Sequence, residues 1–324
     1  MLALGRNSAS RSKIDDFSSL ISQISSFVCT RMTRQVSGPS ARKTILSLPD
    51  QIAFIGYGEV GQLFSRQLRE KHGLTIRAYD IKVDALRSGS GAPLVAAPLF
   101  AAAQASGVVL VANAAEAAAG ADIIFSSVTA DAAEQVARES IAYLKPGQIL
   151  FDVNSASPST KIRAAQALAE KGLDYVEGAV MAPVVGAGIK VEILTGGPRA
   201  AELSEKLNAL GMNLRAVAET IGRASATKLC RSIMIKGIEA LIIDSASACA
   251  QWGVAEDVFA SLNKSFQGAD WADLAGKMDA RVARHGMRRA AEMREAAAML
   301  TDMGRDPSLA LAIAERHAFR AKQK

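Results

Sequence analysis

Gln51-Ile-Ala-Phe-Ile-Gly-Tyr-Gly-Glu-Val-Gly61 decides the fold: an apolar run of strand length passes directly into G-x-G-x-x-G. Ile52, Phe54 and Ile55 supply a buried strand. Gly56 permits the tight turn, Gly58 lets a pyrophosphate approach the backbone, and Gly61 lets the following helix pack close to the sheet. That helix, Glu59 to about Lys71, offers the positive end of its dipole to phosphate. Ile76-Arg-Ala-Tyr-Asp80 then predicts a second strand ending in an acid. A carboxylate there accepts a ribose 2′-hydroxyl and repels a 2′-phosphate. The glycine triplet alone also suits a phosphate-free turn. Strand, glycines, helix, strand and acid in this order predict a dinucleotide site that takes NAD rather than NADP.

The alternation continues downstream. Val108–Val111, Ile123–Val128, Ile149–Val153, Asp174–Val180 and Val191–Leu194 are apolar runs of strand length. Helical stretches separate them, at Ala115–Gly120, from Asp131 to about Tyr143, and from Pro158 to about Lys171. Ser157-Pro158 and Gly172 give the last of these the Pro-at-start, Gly-at-end pattern. The predicted fold is α/β, a Rossmann-type doubly wound and mostly parallel sheet. From Gly222 the pattern changes. Arg223–Gln251 holds no Pro and only Gly237 inside it, and predicts one helix of roughly 40 Å at 1.5 Å per residue. Further helices are predicted over about Asp257–Gln267, Trp271–Gly286, Met287–Met303 and Pro307–Lys322. The expected organisation is a tail over 1–48, a dinucleotide-binding domain over 49–221, and an all-α substrate and dimerisation domain over 222–324.

Charge is concentrated at the two ends. Residues 1–48 carry a net +5 and residues 281–324 another +5, against +6 for the 324-residue chain. The high isoelectric point therefore does not describe a nucleic-acid-binding body, and no basic patch interleaved with aromatics is present. Cys29, Cys230 and Cys249 are odd in number and widely spaced, which argues against a disulfide framework or a zinc site and for a reducing compartment. No run has the ~18–20 apolar residues of a membrane span. The Ser- and Arg-rich start resembles an organellar transit peptide in composition; a disordered tail or an overextended start, with Met32 as initiator, fits equally. Phe17, Leu20, Ile21, Ile24, Phe27 and Val28 nonetheless have helical spacing. The expected location is cytoplasmic, or organellar if the start is a true transit peptide.

Four segments carry candidate chemistry. Asp152-Val-Asn-Ser-Ala-Ser-Pro158 follows a strand at the edge where α/β sheets bind ligands. Asn154 and Ser155 are candidate hydrogen-bonding groups there, although Ser157 also reads simply as a helix cap. Glu177-Gly-Ala-Val-Met-Ala-Pro183, followed by Val184–Gly188, is a glycine-rich turn that offers backbone N–H groups to an anion. Lys228 and Ser232 share a face of the long helix. A lysine in a closed cleft loses its proton readily, because burial disfavours the ammonium; taken alone, a solvated surface lysine reads as well. His285, Arg288 and Arg289 form a basic cluster suited to a carboxylate or phosphate.

From Gln51 to the C-terminus these segments, in this order, resemble the β-hydroxyacid dehydrogenase superfamily, and in particular a divergent branch with a phosphogluconate-dehydrogenase-like C-terminal domain. Gly56–Gly61 matches its dinucleotide motif, Asp152–Pro158 its D-x-S-T-x-x-P segment, Glu177–Pro183 its substrate loop, and Gly222-Arg-Ala-Ser-Ala-Thr-Lys228 the G-x-[GA]-x-x-x-K segment of the catalytic lysine. The resemblance implies an NAD-dependent oxidoreductase on a small hydroxy acid or related alcohol, with Lys228 as general acid/base. It implies cofactor contacts at Gly56, Tyr57, Gly58, Glu59, Val60, Gly61, Asp80, Val128 and Ser155, and no metal. Two departures stand out: the loop's Ser-Gly-Gly is Met181-Ala-Pro183, and the Asn four residues past the lysine is Ser232. Substrate contacts are then expected from Asn154, Ser155, Met181, Arg231, Ser232 and Arg288. Lys236, about 80° round the helix from Lys228, is expected to lie apart from the site. A homodimer or higher oligomer through the C-terminal helices is expected, with no nucleic-acid or membrane partner. An imine reductase-like enzyme and a non-catalytic dinucleotide-binding regulator are the alternatives.

Overall fold

The computed structural model describes residues 48–83, 93–266 and 270–323. The expected tail, with its Phe17–Val28 helix, falls almost wholly outside them. Eight strands, β1 (Gln51–Ile55), β2 (Thr75–Tyr79), β3 (Val109–Leu110), β4 (Ile123–Ser126), β5 (Ile149–Asp152), β6 (Asp174–Val180), β7 (Glu192–Gly196) and β8 (Asn213–Ala218), form one sheet in the order 3-2-1-4-5-6-7-8. Pairing is parallel throughout except between β6 and β7, which are antiparallel. The strand order reverses between β1 and β4, and such a switch point opens a ligand crevice at the carboxyl ends of the strands.

Alternation of strand and helix buries both sheet faces. One face gathers Phe54, Phe125 and Phe151 from three neighbouring central strands; Phe54 stacks on Phe125 at 4.7 Å between centroids, and Phe151 meets Phe125 edge-on at 5.0 Å. The other face, built on Ala53, Ile55, Ile124 and Leu150, packs small alanines of the covering helices. Helices α1 (Glu59–His72), α2 (Pro93–Ser106) and α6 (Ala200–Ala209) cover the phenylalanine face, and α3 (Ala114–Ala118), α4 (Ala133–Ser140) and α5 (Pro158–Ala169) cover the alanine face. Ser157 caps α5 by accepting from the Thr160 N–H, with Pro158 in the first turn.

After β8 the chain is helical: α7 (Arg223–Trp252), α8 (Ala255–Ser265), α9 (Trp271–Asp302) and α10 (Ser308–Lys322). Two expectations need correction. The segments 271–286 and 287–303 are one helix, not two. Gly286 is not a breaker but a point of close approach: a Cβ there would lie 2.3 Å from the His317 carbonyl oxygen on α10. Helix α6 and strand β8 had no counterpart in the sequence reading. They are held by Leu203, Leu207 and Leu214, which join the sheet core, and by Asn208, whose side chain bonds both the N–H and the C=O of Leu214.

Candidate active site

The glycine loop is tight where the fold requires it and open where a ligand would approach. Gly56 has φ +91°, and a Cβ on it would lie 2.4 Å from the Ser127 carbonyl oxygen. A Cβ on Gly61 would lie 2.4 Å from the Gly56 carbonyl oxygen, whereas one on Gly58 would meet nothing within 4 Å. Ser127 Oγ closes the turn by donating to Gly56 O at 2.8 Å, and Val128 stands against Gly56 from the β4 side. Helix α1 begins at Gly58 with no side-chain cap, so the N–H groups of its first turn point outward unpaired by the helix. Asp80 braces the loop: its carboxylate accepts from the Tyr57 N–H at 2.8 Å and the Lys82 N–H at 3.1 Å. The Tyr57 ring itself is core, with its hydroxyl 3.2 Å from Ser106 Oγ. Glu59 is exposed and faces Arg288 of α9 at 3.6 Å.

The loop after β5 is anchored from below. Asp152 is fully buried and paired with the equally buried Lys161 at 2.8 Å. It also accepts from the Tyr175 hydroxyl at 2.6 Å and the Asn154 N–H at 2.9 Å. A buried carboxylate with a cation and two further donors is fully satisfied, so Asp152 holds the loop rather than reacting. From the other side, Glu295 of α9 accepts from the Ser157 N–H at 2.7 Å, and Ser159 Oγ donates to Asp302 at 2.5 Å. Asn154 donates to Ser126 Oγ at 3.0 Å, while its buried Oδ1 has no partner among the described residues. Buried acceptors are ordinarily satisfied, so this atom suits a donor on a bound molecule.

Lys228 reaches this loop from α7, and its Nζ donates to Ser155 Oγ. Burial pushes its ammonium down; Glu292 pulls it back up, and Lys236, Lys161 and Arg288 push it down again, leaving it at about 8. The start of α7 is fixed by Glu177, a fully buried acid of β6. Its carboxylate accepts from the N–H groups of Gly222 (2.7 Å), Ala224 (3.0 Å) and Ser225 (3.3 Å), and from Ser225 Oγ (2.7 Å). A carboxylate at a helix N-terminus both satisfies orphan donors and opposes the helix dipole. Glu177 is therefore the cap of the helix that carries Lys228; the only hint of this in the sequence is an acid inside an otherwise apolar strand.

The other expected residues are dispersed more widely. Ser232 is buried, and its hydroxyl donates to Glu292 Oε1 at 2.5 Å. Arg231 is exposed, with its guanidinium 3.5 Å from the Met181 carbonyl oxygen. His285 and Arg288 are also exposed, whereas Arg289 is turned inward to the buried Glu239. The glycine-rich turn Val184–Gly188 packs on α1: the Ile189 N–H just beyond it goes to Gln67 Oε1 at 2.8 Å. Lys236 does not lie apart from the site. It is 5 % exposed and pairs with Glu292 at 3.1 Å, because residues four apart drift only about 40° per step and 228, 232 and 236 form one stripe facing α9. Sequence reading missed Glu292, which lies on another helix with no local pattern to mark it. Among the described residues, no three potential ligands cluster to hold a metal, and no helix is long and apolar enough to cross a membrane.

Residues 51–221 match the family described as the NAD binding domain of 6-phosphogluconate dehydrogenase, and residues 250–319 match a domain of unknown function, DUF1932. The chain belongs to the β-hydroxyacid dehydrogenase superfamily. A 2-(hydroxymethyl)glutarate dehydrogenase from Eubacterium barkeri is 29 % identical over 57 % of this chain, and the match spans 58 % of that protein's length. The structure of a conserved hypothetical protein from Sinorhizobium meliloti 1021 is 38 % identical and covers 86 % of this chain and 91 % of its own, with a TM-score of 0.70. A conserved protein of unknown function, described as structurally similar to 3-hydroxyacid dehydrogenases, is 26 % identical, covering 84 % and 98 % at a TM-score of 0.64. The family match supports a nicotinamide dinucleotide as the cofactor.

Proposed function

We propose that this superfamily member is an NAD-dependent oxidoreductase that acts on the carbinol of a small hydroxy acid or related alcohol, with Lys228 as general acid/base. The observation that carries the reading is the Lys228–Ser155 contact. It joins a lysine of lowered proton affinity to the loop at the carboxyl end of β5, beside an unpartnered Asn154 oxygen. The similarity to a hydroxy-acid dehydrogenase supports the substrate class.

The nicotinamide supplies or accepts the hydride. Backbone of Gly56–Gly61 and the first turn of α1 would hold the dinucleotide phosphates, Val128 and Ser155 would contact the cofactor further along, and Asp80 would select the unphosphorylated ribose. Neutral Lys228 takes the hydroxyl proton in oxidation; its ammonium returns a proton to the carbonyl oxygen in reduction. Ser155 keeps Nζ in position, and the unpartnered Asn154 Oδ1 accepts from a donor of the bound substrate or cofactor other than the reacting hydroxyl, whose proton goes to Lys228. Arg231, beside the Met181 carbonyl, and Arg288, beside Glu59, supply the positive charge for a carboxylate, a task the Met181-Ala-Pro183 loop cannot perform with a hydroxyl. Ser232 acts from behind Lys228, through Glu292.

The C-terminal helices support a homo-oligomer. Met234 and Leu241 of α7 are 63 % and 72 % exposed beside Leu309 and Phe319 of α10, and a contiguous apolar face of this kind marks an association surface.

The test is a panel of short hydroxy acids, alcohols and cyclic imines, run with NAD(H) and NADP(H) on the wild type and Lys228→Ala. Turnover of a hydroxy acid with NAD, lowered by about 10²–10⁴ in the variant, is expected. Imine reduction with NADPH would replace the reading with an imine reductase. Tight NADH binding with no turnover would replace it with a dinucleotide-responsive regulator.

A further inference from the structure

Lys228 is not alone in its cleft. Along α7, Lys228, Ser232 and Lys236 follow at intervals of four residues, and across from them α9 presents a single carboxylate, Glu292. One oxygen of Glu292 receives both the Ser232 hydroxyl at 2.5 Å and the Lys236 ammonium at 3.1 Å. The pair is sheltered, with side-chain exposures of 6 % and 18 %, so its charges are weakly screened. The charged groups acting on Lys228 come from three helices: Glu292 and Arg288 from α9, Lys236 from α7 and Lys161 from α5. Two of them are already engaged elsewhere, Lys161 with Asp152 and Arg288 with Glu59. Glu292 bonds Ser232 and Lys236, and Lys236 is also acted on by Arg289 of α9, which pushes it down, and by Glu239 of α7, which pulls it up.

We propose that Glu292 and Lys236 are positioning residues for Lys228: a half-buried carboxylate and a buried ammonium that set its proton occupancy from opposite directions, with the Ser232 hydroxyl fixing the carboxylate between them. This rests on the reading of Lys228 as the acid/base. An isolated buried cation pair would expel a proton from one lysine; an isolated lysine–carboxylate pair would lock the proton on. Three charges in a row leave Lys228 between those extremes, able both to take and to return a proton. Burial opposes the Glu292 charge, but the two lysines and the Ser232 hydroxyl outweigh it and hold the carboxyl at about 2, so the carboxylate stays ionised while Lys228 titrates. Lys236 is likewise pushed down by burial and pulled up by Glu292.

The experiment follows the Cε resonance of Lys228 with pH in protein labelled with ¹³C-lysine, assigned by its loss in Lys228→Arg. Glu292→Gln removes a negative neighbour and lowers the midpoint by about one pH unit or more; Lys236→Met removes a positive neighbour and raises it. Lys236→Arg, which keeps the charge, leaves it in place. Opposite displacements are the expected result, and circular dichroism confirms that each variant is folded. A common direction, or no displacement, in folded variants overturns the proposal. If one variant fails to fold, the direction of the other decides; if both fail, Glu292→Asp decides, with a smaller lowering expected as the charge withdraws. The titration requires no substrate. Its failure therefore removes this proposal and leaves the oxidoreductase reading intact, whereas an inactive substrate panel does the reverse.

Discussion

Glu177→Ala should be among the most destabilising single changes in this protein. The carboxylate is the acceptor for three backbone N–H groups at the head of α7, those of Gly222, Ala224 and Ser225. The Ser225 hydroxyl survives the loss, because it also donates to Gly222 O at 3.1 Å. Each buried N–H left without a partner costs about 1–3 kcal/mol, and the charge opposing the helix dipole contributes up to ~2 kcal/mol in a buried setting. Since α7 relaxes in part, the net cost should be about 3–6 kcal/mol, a large share of the ~5–15 kcal/mol that holds a typical domain folded. Ser225→Ala removes only one of the four donors and should cost about 1 kcal/mol. Urea unfolding at 25 °C, followed by far-ultraviolet ellipticity, measures both. Turnover should fall with Glu177→Ala as well, because Lys228 lies within the second turn of the helix whose head is loosened. A cost below about 1 kcal/mol for Glu177→Ala, or one no larger than that of Ser225→Ala, would refute the view that this acid anchors the helix.

Two further outcomes follow from the site. Because Lys228 titrates near 8, oxidation should rise with pH through about 8 as the neutral amine forms, and reduction should fall over the same interval as the ammonium is lost; limbs of the same sign in both directions would place the proton transfer on another group. Asp80→Ser should raise the efficiency with NADP relative to NAD, while weakening both cofactors through loss of the brace on the Tyr57 N–H; an unchanged ratio would show that Asp80 serves the loop alone.

The sequence by itself determined the βαβ frame, the glycine loop, the acid after β2 and the long helix with Lys228. These are local properties: turn geometry that only glycine tolerates, a 3.6-residue period, and the alternation of apolar runs with helices. Local pattern also misled. Gly286 reads as a stop in one dimension and is a helix–helix contact in three, and Lys236 reads as displaced by 80° yet reaches the same carboxylate as Ser232. Strand β8 and helix α6 escaped notice because β8 is an edge strand whose side chains are largely exposed, so its apolar signal is weak. Only the tertiary structure decided what surrounds Lys228. Glu177 lies about fifty residues before it and Glu292 about sixty after it, and no periodicity links residues across such intervals. Their roles come from the packing of α7 against the sheet on one side and α9 on the other, which brings the acids into a low-dielectric interior where one caps the helix and the other acts on the lysine's charge.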